Sequence, residues 1–179
     1  MFSFHNTLGG RIEPFEPLVP GQVGLYTCGP TVYDTPHIGN YRSYIFEDLL
    51  KRSLKLAGFR VRHVMNITDV DDKTIRNARE RGLTLDAYTA PFIAQFMAGL
   101  RTLRIEPADV YPRATEHIPE MTALIEGLLN KGVAYPKDGS VYFAIDKFPA
   151  YGRLSGMRPE DLRTTDRVGA RLESDEYEK

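Results

Sequence analysis

Apolar positions along the chain change their period several times, and each change marks an element. Val23 to Cys28 is a short apolar run without helical spacing and reads as a buried core strand. From His37 to Leu56 the period lengthens: Ile38, Ile45, Leu49, Leu50, Leu54 and Leu56 approximate a helical apolar stripe. Gly58 is a natural helix stop, and Phe59 to Ile67, with Phe59, Val61, Val64 and Met65, reads as a second strand. Strand, helix and strand in this order predict a right-handed βαβ unit with parallel strands. Residues 1–22, with an apolar start, a Gly9-Gly10 turn, Pro14, Pro17 and Pro20, read as a lead-in segment. Asp71 to Arg81 predicts a short charged helix ended by Gly82. Thr84 caps a longer one reaching about Ile105, which Pro91 must kink or divide. Pro107 and Pro112 mark a connector. Thr115 opens a helix through about Asn130, with Met121, Leu124, Ile125 and Leu128 as its apolar stripe and Pro119 making its first turn irregular. Val133 to Ile145 reads as a hairpin turning at Asp138-Gly139. From Met157 to Lys179, 12 of 23 residues are charged, too many for the segment to order itself, so a disordered tail is expected. No internal repeat is visible.

Composition narrows the class. A chain of 179 residues, 42% hydrophobic and 26% charged, is long enough for one soluble domain with a core. A net charge of −1 carries no electrostatic footprint for nucleic acid. A single cysteine excludes an internal disulfide and fits a reducing compartment. No apolar run approaches a membrane span, and the first residues lack the regions of a signal peptide, so a cytoplasmic protein is the expectation.

The candidate chemistry gathers between the first strand and the first long helix, where an α/β fold places anionic ligands. Free N–H groups and the helix dipole favour phosphate there. Thr35 suits the N-cap and Pro36 the first helical position. His37 and Asn40 then share one helical face as hydrogen-bond donors, with Gly39 leaving room for a ligand. Cys28, at the carboxyl end of the strand, reads either as a small buried hydrophobe or as a residue on the rim of the site. Asn66-Ile-Thr-Asp-Val-Asp-Asp-Lys73 holds three aspartates but lacks the glycine and distal glutamate of a calcium loop. Thr68 or Asp69 is expected to cap the helix that follows. His63, between Arg60 and Arg62, reads as a solvated strand position. Tyr33, Tyr41 and Tyr44 read as half-buried packing with a wet hydroxyl. The sequence contains no GxGxxG, Walker A, CxxC or HExxH string.

At these residues a resemblance enters. His37-Ile-Gly-Asn40 resembles the HIGH signature of class I aminoacyl-tRNA synthetases. Tyr26-Thr-Cys-Gly-Pro-Thr-Val-Tyr-Asp34 before it and Met65-Asn-Ile-Thr-Asp-Val-Asp-Asp-Lys73 after it resemble the cysteinyl-tRNA synthetases in particular, from about His5 to about Arg171. The resemblance implies an α/β, Rossmann-like (HUP-type) nucleotide-binding half-domain over residues 1–106, a helix-and-hairpin connective insertion over 107–156, and the charged tail over 157–179. It implies ATP-dependent activation of cysteine to cysteinyl-AMP and transfer to tRNA. His37 and Asn40 would act in catalysis by holding phosphates. Pro30, Thr31, His37, Gly39 and Asn40 would bind ATP, with Mg2+. Cys28, Gly29, Thr31, Ser43, Asn66 and Thr68 would line the cysteine and adenylate pocket. Cys28 would ligate Zn2+, whose other ligands come from later sequence in that family. The parent protein would be a monomer away from membranes, meeting tRNA through later domains.

The chain departs from the family pattern at several points. Asn40 stands where the signature has histidine, the lysine-rich KMSKS loop is missing, and no tryptophan occurs. The expectation is therefore the N-terminal part of such an enzyme, inactive alone. Two alternatives stay open. One is the cysteine-activating ligase of mycothiol synthesis, which tends to have proline where Lys73 stands and differs around Asn6-Thr-Leu8. The other is a non-catalytic module that binds a nucleotide or a partner.

Overall fold

The lead-in segment folds back on itself at the expected Gly9-Gly10 turn. In the computed structural model, which describes residues 2–156, β1 (Ser3–Asn6) and β2 (Arg11–Pro14) pair antiparallel across the Gly9-Gly10 turn, where Gly10 has φ 62°. The tail expected over 157–179 lies outside the described residues. The chain divides into two compact units, Glu16–Thr122 and a second made of Met1–Phe15 with Ala123–Lys179.

The first unit carries the predicted strand–helix–strand. β3 (Gln22–Thr27) and β4 (Arg60–Met65) pair in parallel, Gln22 opposite Arg60 and Thr27 opposite Met65, joined by α1 (Ile38–Leu56). α1 stops in a Schellman arrangement: Gly58 N–H donates to the Lys55 carbonyl and Phe59 N–H to that of Leu54, with Gly58 at φ 91°. α2 (Asp72–Glu80) and α3 (Leu85–Thr102) follow, and Thr84 caps α3 by accepting from Ala87 N–H. α3 runs through Pro91 as one helix rather than dividing there. The proline connector is more ordered than its composition suggests. It lies along the other edge of β4, where Met65 N–H donates to Val110 and Ile67 N–H to Pro112.

The core of this unit is Tyr44, Met65, Phe96, Leu100 and Ile105, with Tyr41 and Tyr111 packed against it. Gly99 lets α1 and α3 approach closely, since a Cβ there would sit 2.0 Å from the Tyr41 hydroxyl. The buried face of α1 is Tyr44, Lys51 and Leu54, of which only Leu54 belongs to the predicted stripe. Ile38, Ile45, Leu49 and Leu56 are exposed, because the two-stranded sheet contacts the Tyr44–Lys51–Leu54 side.

Two further expectations are corrected. The cap of α2 is neither Thr68 nor Asp69 but Asp71, whose carboxylate accepts from Thr74 N–H while the Thr74 hydroxyl accepts from Asp71 N–H. Asp69 turns inward instead, accepting from Arg113 Nε at 2.9 Å, Thr115 N–H at 2.9 Å and the Thr115 hydroxyl at 2.6 Å. Burial pushes its carboxyl up, but the Thr115 hydrogen bonds and the Arg113 charge outweigh that and hold it below the usual carboxylate range. Thr115 is thereby engaged, and a short 3-10 turn (Ala114–His117) precedes α4 (Ile118–Asn130). No residue of α4 is buried: of its predicted stripe, Met121, Leu124 and Ile125 are exposed and Leu128 is half-buried.

In the second unit, β5 (Ala134–Lys137) and β6 (Ser140–Phe143) form the expected hairpin. Asp138 and Gly139, both at positive φ (50° and 80°), make the two-residue turn that suits the twist of a hairpin.

Candidate functional site

The β3–β4 ladder ends at Thr27–Met65 and returns only at the Thr31–Thr68 bridge, and this interruption shapes the site. Gly29 N–H donates to the Asn66 side-chain oxygen at 3.1 Å, and Asn66 Nδ2 donates to the Thr68 hydroxyl at 3.1 Å. Main-chain pairing then returns, with Thr68 N–H donating to Pro30 and Val32 N–H to Thr68. Asn66 and Thr68 thus fix the start of the loop after β3. Residue 29 has to be glycine, because a Cβ there would lie 1.7 Å from the Asn66 carbonyl oxygen.

The loop, residues 29–37, wraps a cavity of about 340 Å³ that is closed by Asn40, Tyr44, Phe92 and Phe96. That size suits a small ligand. Tyr44 is the α1 wall, and burial, with Glu47 and Cys28 nearby, pushes its hydroxyl well above the usual range, so it stays protonated.

The helix N-terminus is built differently from the expectation. The cap is His37, not Thr35, and Pro36 precedes the helix rather than opening it. His37 Nδ1 accepts from Gly39 N–H at 3.0 Å, and Asn40 Oδ1 accepts from His37 N–H at 3.0 Å, a reciprocal capping box. Asn40 N–H is also engaged, to the His37 carbonyl, so first-turn N–H groups expected to be free are partly satisfied by the chain itself. The consequence for chemistry is specific. With Nδ1 accepting, a neutral His37 carries its proton on Nε2. Asn40, with Oδ1 accepting, keeps its Nδ2 group to donate. Both residues line the cavity, so the site holds two oriented donors at the positive end of α1.

The other anticipated residues divide. Gly29, Pro30 and Thr31 line the cavity with His37 and Asn40, whereas Cys28, Gly39, Ser43, Asn66 and Thr68 are not part of its wall. Ser43 is exposed, and Tyr44 takes the place on α1 that faces the cavity. Cys28 is exposed at the end of β3, not buried as a hydrophobe. Among the described residues no group of three His, Cys, Asp or Glu side chains is gathered as a metal would require. Cys28 supplies one thiol and the residues described here do not complete a zinc site. Phe92 and Phe96 were missed by the sequence reading. Their signal was an aromatic pair one turn apart on α3.

Behind the cavity lies a buried polar layer. His63, expected on a solvated face, is 2% exposed, because α1 covers β3–β4 at this position and the connector covers the edge. Its Nε2 meets the Thr27 hydroxyl at 2.9 Å, and its main-chain N–H donates to Asp109 at 2.6 Å. Lys51, also buried, donates to the Pro107 carbonyl at 2.7 Å. Burial, then the Lys51 charge, holds the His63 imidazole below its ordinary 6.5, against the pull of Asp109, Asp48 and Glu106. A depressed histidine binds fewer protons folded than unfolded, so it lowers stability as pH falls through 6.5. Glu47, raised by burial, works in the opposite sense at lower pH. Urea midpoints of the chain are therefore expected to fall from pH 7 to pH 6, and the fall to shrink in His63→Gln. An unchanged slope in that variant would remove His63 as its source.

Comparisons agree with the geometry. The family model for tRNA synthetases class I (C) catalytic domain matches residues 14–177. A Cysteine--tRNA ligase of Chlamydia caviae is 57% identical over 158 residues, covering 88% of this chain and 32% of that protein. One of Chlamydia trachomatis is 55% identical over 98% of this chain and 36% of its own length. One of Methanosarcina mazei is 46% identical over the whole chain and 37% of its own length. The chain thus spans about a third of the length of the curated relatives it matches. Among solved structures, Mycobacterium tuberculosis methionyl-tRNA synthetase in complex with methionyl-adenylate superposes with a TM-score of 0.58 at 22% identity, over 64% of this chain and 23% of that one. The Agrobacterium radiobacter LeuRS-tRNA-LeuAMS ternary complex gives 0.57 at 22% identity, over 67% of this chain and 16% of that one. These two likenesses speak for the Rossmann-like fold of the class. The glycine-hinged loop and histidine-capped helix thus sit in a chain that, matched from residue 14 to residue 177, belongs to the class I tRNA synthetase (C) catalytic domain family.

Proposed function

We propose that this chain carries one side of the active site of an ATP-dependent cysteine–tRNA ligase. The observation that supports it most directly is the His37–Asn40 capping box, which leaves His37 Nε2 and Asn40 Nδ2 to donate on two residues that line the cavity at the end of β3. In this reading a cysteine carboxylate oxygen attacks the α-phosphorus of ATP. The bond to the bridging oxygen breaks, and pyrophosphate leaves with the electron pair. A ribose hydroxyl of tRNA then attacks the carbonyl of cysteinyl-AMP, and AMP leaves. His37 Nε2–H and Asn40 Nδ2 donate to phosphate oxygens, where charge develops. Pro30 and Thr31 shape the wall beside them, and Gly39 keeps the approach to the helix open.

Cysteine would be held near Cys28, Gly29 and Thr31. Asn66 and Thr68 support that wall, and Ser43 acts at its outer edge. Zn2+ on Cys28 would select a thiolate once ligands from outside the described residues complete its shell, and Mg2+ would accompany ATP. tRNA would bind through parts of the relatives that this chain does not span. A cytoplasmic monomer fits this reading. Among the described residues no helix is long and apolar enough to cross a membrane.

The test is cysteine-dependent ATP–pyrophosphate exchange by the full-length gene product, beside residues 1–179 alone. Exchange by the former and none by the latter is expected. Exchange dependent on another amino acid, with none for cysteine, would overturn the reading.

A further inference from the structure

The cavity loop is anchored at both ends by groups already described: Asn66 and Thr68 at Gly29 to Val32, and the capping box at His37. Its middle is another matter. Between Val32 and His37, among the described residues, the hydrogen bond that reaches another element is made at Tyr33. Its carbonyl accepts from the Tyr88 hydroxyl at 2.5 Å. Tyr88 is 2% exposed on α3, and its oxygen accepts in turn from Asn77 Nδ2 of α2 at 3.0 Å. Its ring meets Phe92, a wall of the cavity, edge-on at 5.3 Å. A buried phenol aimed at one main-chain oxygen of a binding loop is a fixed restraint.

The ring of the same Tyr33 is held from the other side. Lys73 Nζ lies 4.5 Å from its centroid. Lys73 occupies the second position of α2, after cap Asp71 and Asp72. There the helix dipole disfavours a cation, and the two preceding acids obey that rule while Lys73 breaks it. Departures from a local rule of this kind gather at functional sites. The cation–π contact supplies a physical reason for the lysine, since it places the charge against a side chain that lines the cavity.

We propose that Tyr88 and Lys73 are positioning residues of the site: gripping Tyr33 by its carbonyl and by its ring, they set the mouth of the cavity in the geometry that an anionic ligand meets. The functional part of this statement rests on the activity proposed above; the grip itself does not. Neither residue lines the cavity itself, so both act through Tyr33.

Ligand-free amide hydrogen exchange on residues 1–179 tests the grip. In Tyr88→Phe and in Lys73→Met, the amides of Val32 and His37, which flank Tyr33, should exchange about 10-fold faster, as expected for losing one restraint. Amides within α3 should keep their rates in Lys73→Met. Lys73→Arg, which keeps a cation over the ring, should restore the rates, and Arg79→Met, removing an exposed cation elsewhere on α2, should leave them unchanged. Unchanged loop exchange in both variants, or an equal rise throughout the unit, would overturn the proposal. In the full-length protein, Lys73→Met should lower the turnover of cysteine-dependent exchange about 10-fold with the KM for cysteine within about twofold, and Lys73→Arg should recover it. Loss appearing only in the cysteine KM would overturn it as well. A full-length protein that shows no exchange at all would overturn the proposed activity, while the loop measurement would still decide the grip.

Discussion

His37→Ala in the full-length protein is expected, on the proposed function, to lower turnover in cysteine-dependent ATP–pyrophosphate exchange by about 10²–10³, the usual effect of removing one preorganised donor to developing charge. The KM for cysteine should change little, because in the proposed role the donor acts on phosphate. The argument rests on orientation. Gly39 N–H fixes Nδ1, the tautomer follows, and Nε2–H is presented without reorganisation when charge moves to the phosphates. Alanine also removes the helix cap, which costs about 1 kcal/mol of stability. His37→Ser separates the two effects, since serine caps well but has no donor in the place of Nε2. It should keep most of the thermal stability and lose most of the turnover. Full turnover in His37→Ser would assign the histidine to the helix alone. Asn40→Ala removes the other half of the box and one donor, so its loss should be of the same sign.

Much of this arrangement was legible before any coordinates. The change of hydrophobic period at Cys28, at Leu56 and after Ile67 located β3, α1 and β4, because a short strand and a long helix leave different spacings. Gly58, Gly82 and the Asp138-Gly139 pair marked stops and a turn for the same local reason, a positive φ that glycine or aspartate tolerates. The HIGH-like string and its two flanking motifs identified the family, which the match over residues 14–177 then showed.

What sequence missed were choices between chemically similar candidates. Thr35, His37 and Asn40 can all cap a helix, and only the path of the loop decides which one faces the first turn. Three aspartates, Asp69, Asp71 and Asp72, suit a helix start equally well. Arg113 and Thr115, far along the chain, capture Asp69 and leave the cap to Asp71. His63 looked solvated between two arginines. Its burial comes from the connector lying on the edge of β4, a long-range pairing that local pattern does not encode. The α1 stripe misled for the opposite reason. A two-stranded sheet covers one side of the helix, and most of the aliphatic positions read as its core face lie elsewhere. Phe92, Phe96 and Tyr88 reach the site from a helix whose apolar residues read equally well as packing.

Gly29→Ala is expected to be the most damaging single methyl group that this unit can receive near its site. Its Cβ would stand 1.7 Å from the Asn66 carbonyl oxygen and 3.0 Å from both the Asn66 carbonyl carbon and Met65 Cγ. The obstacle is main chain at the end of β4, so no rotamer change relieves it. Either the loop or the strand end must retreat, and a retreat breaks the bonds of Gly29 to Asn66, Thr68 to Pro30 and Val32 to Thr68. Overpacking costs about 1–3 kcal/mol, and each lost hydrogen bond adds about 0.5–1.5 kcal/mol. A loss of about 3–5 kcal/mol follows, a large fraction of a typical domain's stability. Gly24→Ala is the control. It lies in β3, four residues before Cys28, and its Cβ meets nothing within 4 Å. That variant should change stability by about 1 kcal/mol or less. Urea unfolding of the two variants beside the parent chain measures both. Equal, small effects would mean that the loop relaxes freely around Asn66 and that the glycine does not hold the cavity in place. A large loss at residue 29 alone would tie the shape of the site to the absence of one side chain.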